Sequence, residues 1–238
     1  MTDLTELWIY LSQGPLLWLT ATVVAYGIGD TLFVLSGRSP WVNPVLIAVV
    51  LLSVALIATG TPYETFFGGA QFVHFLLGPA TVALALPLYA NLSLVRSAAL
   101  PMLAALLAGS LVAMLSAIAV GWALGLRGEV LLSLVPKSAT SPVALGVAEV
   151  IGGIPSLTAA LVIMTGITGA VIVTPLFNAL GLTDWRARGF AVGVAAHGIG
   201  TARAFQVNDT AGAFSGIGMG LNALLTAILA PLVANWLF

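Results

Sequence analysis

Five long apolar stretches constrain this chain more than any other feature of its sequence. They cover residues 15–35, 41–60, 98–125, 156–180 and 210–237. A membrane-spanning helix needs about 20 apolar residues, and these stretches reach or exceed that length. Hydrophobic residues make up 60% of the 238 residues and charged residues only 6%. The sequence therefore predicts an all-α polytopic membrane protein, with residues 1–238 in a single integral membrane domain.

Three other stretches are polar and broken by glycine or proline. Each is followed by a long apolar span, so that after N-terminal spans within residues 15–60 the pattern recurs over residues 63–126, 129–182 and 185–238. Counting 63–95 and 189–206 as crossings and 129–153 as re-entrant gives about seven spans. Interrupted segments at corresponding places favour a transporter with internal repeats. The alternative is that Pro and Gly merely kink the spans, which membrane helices tolerate.

The run over residues 137–142 predicts an anion-binding helix N-terminus. Proline is favoured in a first helical turn, and Ser or Thr before it can cap free N–H groups. A half-helix is therefore expected to begin at Thr140 or Ser141. Its N–H groups would face a carboxylate beside the charge of Lys137 and the hydroxyl of Ser138. The alternative is capping alone, with the lysine reaching to the membrane interface.

The stretch from His197 to Arg203 is the second predicted part of the site. Gly198 and Gly200 allow close backbone approach and unusual dihedral angles, and Thr201 offers a hydroxyl. Arg203 carries a forked donor suited to a carboxylate, and His197 changes charge near neutral pH. The alternative for His197 is a purely structural role.

Further candidates lie in or beside apolar runs. Glu149 is a second candidate for the coupling proton, unless it lies at a membrane end. The remaining predicted substrate-binding residues are Gln71, Gly78, Thr81 and Asn222. For Asn222 the alternative is an interhelical hydrogen bond.

Other function classes find little support in the sequence. The net charge of −1 gives no reason to expect nucleic-acid binding, and the absence of cysteine excludes disulfides and cysteine-ligated metal sites. No zinc-protease, phosphate-binding-loop or serine-hydrolase motif is present. We therefore expect no enzyme, no catalytic residue, no metal and no cofactor. The acidic start lacks the basic region of a cleaved signal, so a multi-pass protein of the bacterial inner membrane is expected.

A set of motifs is spread over residues 41–238. They are Asn43 to Ala48, Tyr63 to Thr65, Gly68 to Phe72, Phe75 to Ala85, Pro87 to Tyr89, Pro136 to Ser138, Thr140 to Pro142, Gly152 to Thr158, His197 to Arg203, Gly212 to Ser215 and Gly218 to Asn222. Together they resemble the LrgB/CidB family, which includes the plastid glycolate/glycerate translocator. Two positions depart from the family pattern: Gln206, where an acidic residue is expected, and Gly146, where a larger side chain is expected.

The resemblance implies a carrier of small monocarboxylates, namely glycolate, glycerate, pyruvate or lactate. We expect proton coupling through His197 or Glu149 and alternating access around the predicted site. The resemblance also implies an alternative, because bacterial members are described as holin-like or antiholin-like modulators of murein hydrolase activity and autolysis. Such members usually have a smaller membrane partner of the LrgA/CidA kind, and a homo-oligomer in the bilayer is expected.

Overall fold

The structure, a computed structural model, describes residues 14–39, 41–76, 79, 82–83, 89 and 92–237. The chain divides into two compact units, with the boundary after Ala83. Helices described in the first unit are α1 (Pro15–Leu35), α2 (Pro44–Thr59) and α3 (Tyr63–Phe75). Those described in the second are α4 (Leu92–Ser97), α5 (Ala99–Ala123), α6 (Gly128–Ser133), α7 (Ser141–Val150), α8 (Pro155–Ala179), α9 (Trp185–Val207) and α10 (Asp209–Leu237).

Four of the described helices are long and apolar enough to cross a membrane, namely α1, α5, α8 and α10. Each coincides with one of the apolar stretches. Helix α2 is shorter, with 16 residues, because it begins only at Pro44. No strand occurs in the part of the chain that the structure describes. The all-α polytopic membrane fold is thus confirmed, whereas the single domain and its three recurring units stay predictions.

In the first unit, α1 packs closely against α2 and α3. A Cβ on Gly29 would lie 2.6 Å from the carbonyl oxygen of Pro44, so the two backbones approach as only glycine allows. Trp18, which is 2% exposed, meets Phe66 edge-on with ring centroids 5.8 Å apart. Small residues and aromatic rings thereby join the three helices.

In the second unit, α9 and α10 form the closest helix pair, and small residues make this possible. A Cβ on Gly193 would collide with the backbone of Ser215, and one on Gly218 would lie 2.6 Å from the carbonyl oxygen of Phe190. Without a hydrophobic driving force between helices in lipid, such close backbone packing is a main source of association. The pair forms the frame on which the polar residues of this unit are placed.

Candidate functional site

Residues 128–154 form a hairpin, named hairpin A, which contains α6, a turn and α7. Ser133, at the end of α6, ties its two arms together. Its hydroxyl accepts a hydrogen bond of 2.8 Å from the N–H of Ile154, and its carbonyl accepts one of 3.0 Å from the hydroxyl of Thr158. Because Ile154 lies beside Ser133, the chain between them reverses its direction. A reversal of this kind is what the re-entrant segment predicted over 129–153 requires.

A polar contact with α10, which is itself bonded to α5, holds the buried turn of hairpin A. The side-chain amide of Asn222 donates to the carbonyl of Ser138 at 3.1 Å, and its oxygen accepts a hydrogen bond of 2.6 Å from the hydroxyl of Ser110. Ala139, also in the turn, belongs to a buried apolar cluster that includes Ala144 of α7 and Val162 of α8. Asn222 thus makes the interhelical hydrogen bond that was the alternative to substrate binding, and it makes it at the predicted anion site.

The start of α7 presents donors beside a cation. The helix begins at Ser141 with Thr140 as its N-cap, as predicted, and the Thr140 side chain makes no capping hydrogen bond. The first N–H groups of a helix have no acceptor within it. Lys137 is half-buried, with its ammonium 3.4 Å from the hydroxyl of Ser138. Among the residues that the structure describes, no carboxylate lies within salt-bridge distance of this lysine.

Helix α9 consists of two half-helices that meet at His197; the whole segment, residues 185–207, is named hairpin B. The backbone at His197 has φ 40° and ψ −135°, which is not helical. In a straight helix, residues eight positions apart are separated by about 12 Å. Here a Cβ on Gly200 would lie only 2.8 Å from Cγ1 of Val192. The chain therefore reverses sharply at His197.

Contacts with α10 show that the two half-helices lie side by side. Gly193 of the first half meets the backbone of Ser215, and Thr201 of the second half meets the Ser215 hydroxyl at 2.9 Å. A segment that doubles back in this way differs from the single crossing counted over residues 189–206. The sequence pattern shows the break but not the direction in which the chain continues.

The two glycines of this segment take different roles from those expected. The unusual dihedral angles belong to His197 and not to Gly198. Gly200 provides the close approach, since a Cβ there would meet side chains of the opposite half-helix. Gly198 lies at the tip, and a Cβ would have the sulfur of Met219 as its nearest neighbour, at 3.8 Å.

His197, 3% exposed, is held by α8 and by its own half-helix. Its Nε2 lies 2.8 Å from the carbonyl oxygen of Val162. Because a carbonyl only accepts, Nε2 carries the proton in this bond, and Nδ1 is left as the acceptor of the neutral ring. Gly166 faces the ring, where a Cβ would lie 2.6 Å from Cε1. Thr201 donates to the His197 carbonyl at 2.7 Å, so the Ser215 hydroxyl donates to Thr201.

Both hairpin tips attach to the same two helices. Val162 of α8 shares a buried apolar cluster with Ala139 and Ala144 of hairpin A, and its carbonyl accepts the hydrogen bond of His197 in hairpin B. Helix α10 holds hairpin A through Asn222 and hairpin B through Ser215. The buried polar side chains at these tips form the tip cluster, which consists of Ser110, Ser138, His197, Thr201, Ser215 and Asn222.

Arg203 lies elsewhere in hairpin B. It is 7% exposed and lines a pocket together with Arg188 of the first half-helix. Neither Lys137 nor His197 is among the residues of that pocket. The structure therefore does not bring Arg203 and Lys137 together in one pocket, although the sequence pattern suggested a shared carboxylate site.

The remaining predicted site residues are not members of the tip cluster, or they are not among the described residues. Glu149 is exposed in the last turn of α7, at the opposite end from Ser141. Gln71 is exposed in the first unit, where its amide donates to the carbonyl of Gly68 at 2.8 Å. Gly78 and Thr81 are not among the described residues.

Sequence reasoning missed three of the polar residues that the structure shows to be buried. Ser110 and Ser215 are single hydroxyls in apolar spans, where a small residue ordinarily indicates helix packing. The sequence pattern places Arg188 in the charged loop before hairpin B, where an exposed side chain is expected. In the structure the side chain is buried, with 8% of its surface exposed. Only the reversal at His197 brings it near Arg203, and no spacing in the sequence signals that reversal.

An exposed ion pair starts hairpin B outside its buried part. The carboxylate of Asp184 accepts a hydrogen bond of 2.8 Å from the N–H of Arg186 and another of 2.8 Å from its guanidinium. These bonds lower the pKa of Asp184 from 3.8 to about 2. Asp184 thereby caps α9 at an end that solvent reaches.

Comparison with known proteins places the chain in one family. A sequence model of the LrgB-like family matches residues 22–236. The uncharacterized protein YxaC of Bacillus subtilis (strain 168) is 38% identical over 200 residues, 84% of this chain and 86% of that protein. The antiholin-like protein LrgB of Bacillus cereus (strain B4264) is 32% identical over 223 residues, 92% of this chain and 95% of that protein. No solved structure matches the chain. With almost its whole length matched, this chain belongs to the LrgB-like family.

Proposed function

We propose that this protein carries small monocarboxylates across a bacterial inner membrane by alternating access. The two hairpin tips are held by the same two helices, α8 and α10, and this observation supports the proposed function. In many transporters, interrupted helices meet at a substrate site near the middle of the bilayer. The first half of hairpin B, residues 185–196, is about 18 Å long at 1.5 Å per residue, a little over half the thickness of the hydrocarbon core.

The carboxylate would bind at the start of α7. Three kinds of donor are available there: the first N–H groups of the helix, the hydroxyls of Thr140 and Ser141, and the ammonium of Lys137. A helix N-terminus favours an anion, and a full positive charge beside it strengthens that preference. A keto oxygen of the substrate would accept from the Ser138 hydroxyl. A 2-hydroxyl would donate to the Thr201 oxygen, because the Thr201 proton is already given to the His197 carbonyl. Such polar groups distinguish glycolate or pyruvate from a plain fatty acid.

His197 is the group we assign to proton coupling. Its Nε2 is committed to Val162, so a proton would be taken up at Nδ1 without breaking the bond to α8. Imidazole is the side chain whose ordinary charge change lies nearest cellular pH, which makes His197 the first candidate for the coupling proton. An incoming carboxylate stabilises the charged ring, and substrate and proton would then bind together.

The order of hairpins and spans supports alternating access. Hairpin A ends where α8 begins, and hairpin B begins after α8 has ended. Helix α8 has 25 residues and is about 37 Å long, enough to cross the bilayer. The hairpins would therefore open toward opposite sides of the membrane. Movement of either hairpin would expose the tip cluster to one side only.

Uptake by proteoliposomes tests this function. The purified chain is reconstituted, and labelled glycolate and pyruvate are supplied with and without a pH gradient. A carrier gives saturable uptake, counterflow of unlabelled substrate, and no leakage of sucrose. The variant Arg96→Gln, which changes an exposed arginine, is the matched control and should behave like the parent. Absence of saturable uptake of either acid would contradict the proposal.

The names of relatives favour a second function more directly than they favour transport. A relative that shares 32% identity over 92% of this chain is named an antiholin-like protein. On this hypothesis the protein forms oligomers, works with a smaller membrane partner of the LrgA kind and modulates autolysis. Flux that rises linearly with concentration, together with leakage of sucrose, would support a pore-forming role of this kind.

A further inference from the structure

A groove, named the α5 groove, lies between α5 and hairpin A. Its volume is about 330 Å³, and it opens to the surface. Pockets for small molecules typically have volumes of about 300–1,000 Å³. The walls come from one face of α5, from the loop after it and from hairpin A, and they include Ser116, Val120, Leu124, Leu126, Leu134 and Lys137.

The α5 groove leads from the end of α5 toward the tip cluster. A Cβ on Gly121 would lie 2.7 Å from a side-chain carbon of Leu134, so hairpin A packs closely against the last turns of α5. Farther along the hairpin, the carbonyl of Ser138 accepts from Asn222, which also bonds to the middle of α5. Lys137 therefore lies at the inner end of the groove, next to the tip cluster.

Lys137 supplies the only charge among the described residues that line this groove. Its ammonium has three N–H donors, and the Ser138 hydroxyl lies 3.4 Å from it. No carboxylate in the described part of the chain lies within salt-bridge distance of it. The remaining walls are apolar apart from Ser116, whose hydroxyl donates to the carbonyl of Ala113 in its own helix. A cation at one end of an apolar groove complements a carboxylate that carries an apolar tail.

We propose that the α5 groove binds the apolar tail of a short-chain carboxylate whose carboxyl group lies at Lys137. This assignment rests on the carrier function proposed above and names a wider substrate class, namely 2-hydroxy and 2-keto acids with tails of a few carbons. Glycolate has no carbon beyond the one that bears its hydroxyl, so it makes no use of the groove. Moving a tail from water onto an apolar wall stabilises the complex in proportion to the area covered. Longer acids should therefore bind more tightly than glycolate.

The experiment measures how the purified full-length chain binds 2-hydroxy acids of increasing length. Glycolate, lactate, 2-hydroxybutyrate and 2-hydroxyvalerate are titrated in detergent at constant ionic strength, and the midpoint of thermal unfolding is followed. The uncharged amides of the same acids are the reference additives, because they share the tail and lack the carboxylate. We expect the half-saturating concentration of the acids to fall by roughly twofold to fourfold for each added methylene.

Two valines of α5 provide a matched pair of variants. Val120 lines the groove and is 59% exposed, whereas Val112 is 65% exposed and is not among the lining residues. Val120→Trp places an indole in the groove and should remove the gain with chain length, while glycolate still binds. Val112→Trp makes the same change on the same helix and should keep the gain of the parent. Val120→Ser removes apolar surface without adding bulk and should reduce the gain, which provides a second reading should Val120→Trp fail to fold.

Each outcome of the titration has a defined meaning. A gain with chain length in the parent and in Val112→Trp that is lost in Val120→Trp supports the groove. Equal binding of all four acids would overturn the groove and leave the carrier function standing. An equal gain for the uncharged amides, or an unchanged gain in both Val120 variants, would also overturn it, because the tail would then bind elsewhere. Binding of none of the acids would overturn the carboxylate site at Lys137 and the groove together.

Discussion

At the scale of residues, His197 combines a strained backbone with a titratable ring. A φ of 40° is rare for a residue with a side chain and costs on the order of 1–3 kcal/mol. Glycine would adopt this conformation without strain. The side chain at this position is therefore retained against a local cost in stability, which favours a role for the imidazole itself.

We expect His197→Gln to abolish accumulation driven by a pH gradient while sparing part of the counterflow at fixed pH. Glutamine still donates to Val162 but does not titrate in this range. Uptake by proteoliposomes with and without the gradient measures the effect. His197→Gly serves as a second variant, since it suits the backbone and removes the ring. Accumulation up a pH gradient at the parental level would show that the proton is carried elsewhere, and Glu149 would be tested next.

Lys137 is the only lysine in the chain, which makes its role easy to test. Lys137→Ala should weaken glycolate binding more than about tenfold, because a charge-assisted hydrogen bond contributes about 1.5–3 kcal/mol. Lys137→Arg should keep part of the affinity. Bound glycolate should also slow reductive methylation of the Lys137 amine, measured by mass spectrometry. Equal binding by parent and alanine variant would remove Lys137 from the site.

Asp184 gives the stability of the protein a dependence on acid pH. Its folded-state pKa of about 2 lies below the ordinary 3.8, so its contribution is complete above about pH 5 and is lost as pH falls toward 2. The pair is exposed, so solvent screening keeps the effect small. Thermal unfolding between pH 6 and pH 2 should therefore show a smaller loss of stability in Asp184→Asn than in the parent. Identical pH profiles would contradict the assignment.

At the scale of elements, two glycines in helices should respond in opposite directions to the same substitution. A Cβ on Gly146 of α7 would have no heavy atom within 4 Å. A Cβ on Gly193 of α9 would collide with the backbone of Ser215. Gly146→Ala should stabilise the protein by about 0.5–1 kcal/mol through the lower entropy of the unfolded chain. Gly193→Ala should destabilise it by about 1–3 kcal/mol, because the helix pair must separate.

Thermal unfolding in detergent measures both variants. Since the two changes are chemically identical, propensity alone would give them the same sign. A higher unfolding midpoint for Gly193→Ala would contradict the close approach of the α9 and α10 backbones at this position.

The elements differ in how well their sequence specifies them. The apolar stretches predict α1, α5, α8 and α10 to within a few residues, because length and hydropathy are local properties. The Thr-Ser-Pro run likewise predicts the start of α7. The reversal at His197 depends on contacts of both half-helices with α10, which are far apart in sequence. For that reason neither the hydrogen bond between Thr201 and Ser215 nor the position of Arg188 and Arg203 beside one pocket could be predicted.

At the scale of the whole molecule, the two hairpins determine which loops share a side of the membrane. The parent has no cysteine, so single cysteines report accessibility without background. Leu124→Cys and Ser156→Cys flank hairpin A and should react with an impermeant maleimide from one side. Thr183→Cys and Asp209→Cys flank hairpin B and should react from the opposite side. Oriented vesicles measure the labelling.

The result separates a hairpin from a crossing. If residues 185–207 crossed the bilayer as one helix, Thr183→Cys and Asp209→Cys would react from opposite sides. The same outcome would contradict the opposed openings on which alternating access depends.

The hydrogen bonds that hold the two hairpin tips have a consequence for how the protein tolerates mutation. His197 bonds to the main-chain oxygen of Val162, and Asn222 bonds to that of Ser138. Every residue type supplies the same oxygen, so a change of side chain at position 162 or 138 leaves the acceptor in place. These two bonds therefore place no constraint of their own on the side chains at positions 162 and 138, and covariation between the bonded positions would not reveal the contacts. Only replacement of the peptide bond itself, such as an amide-to-ester exchange, would weaken the acceptor while sparing the packing.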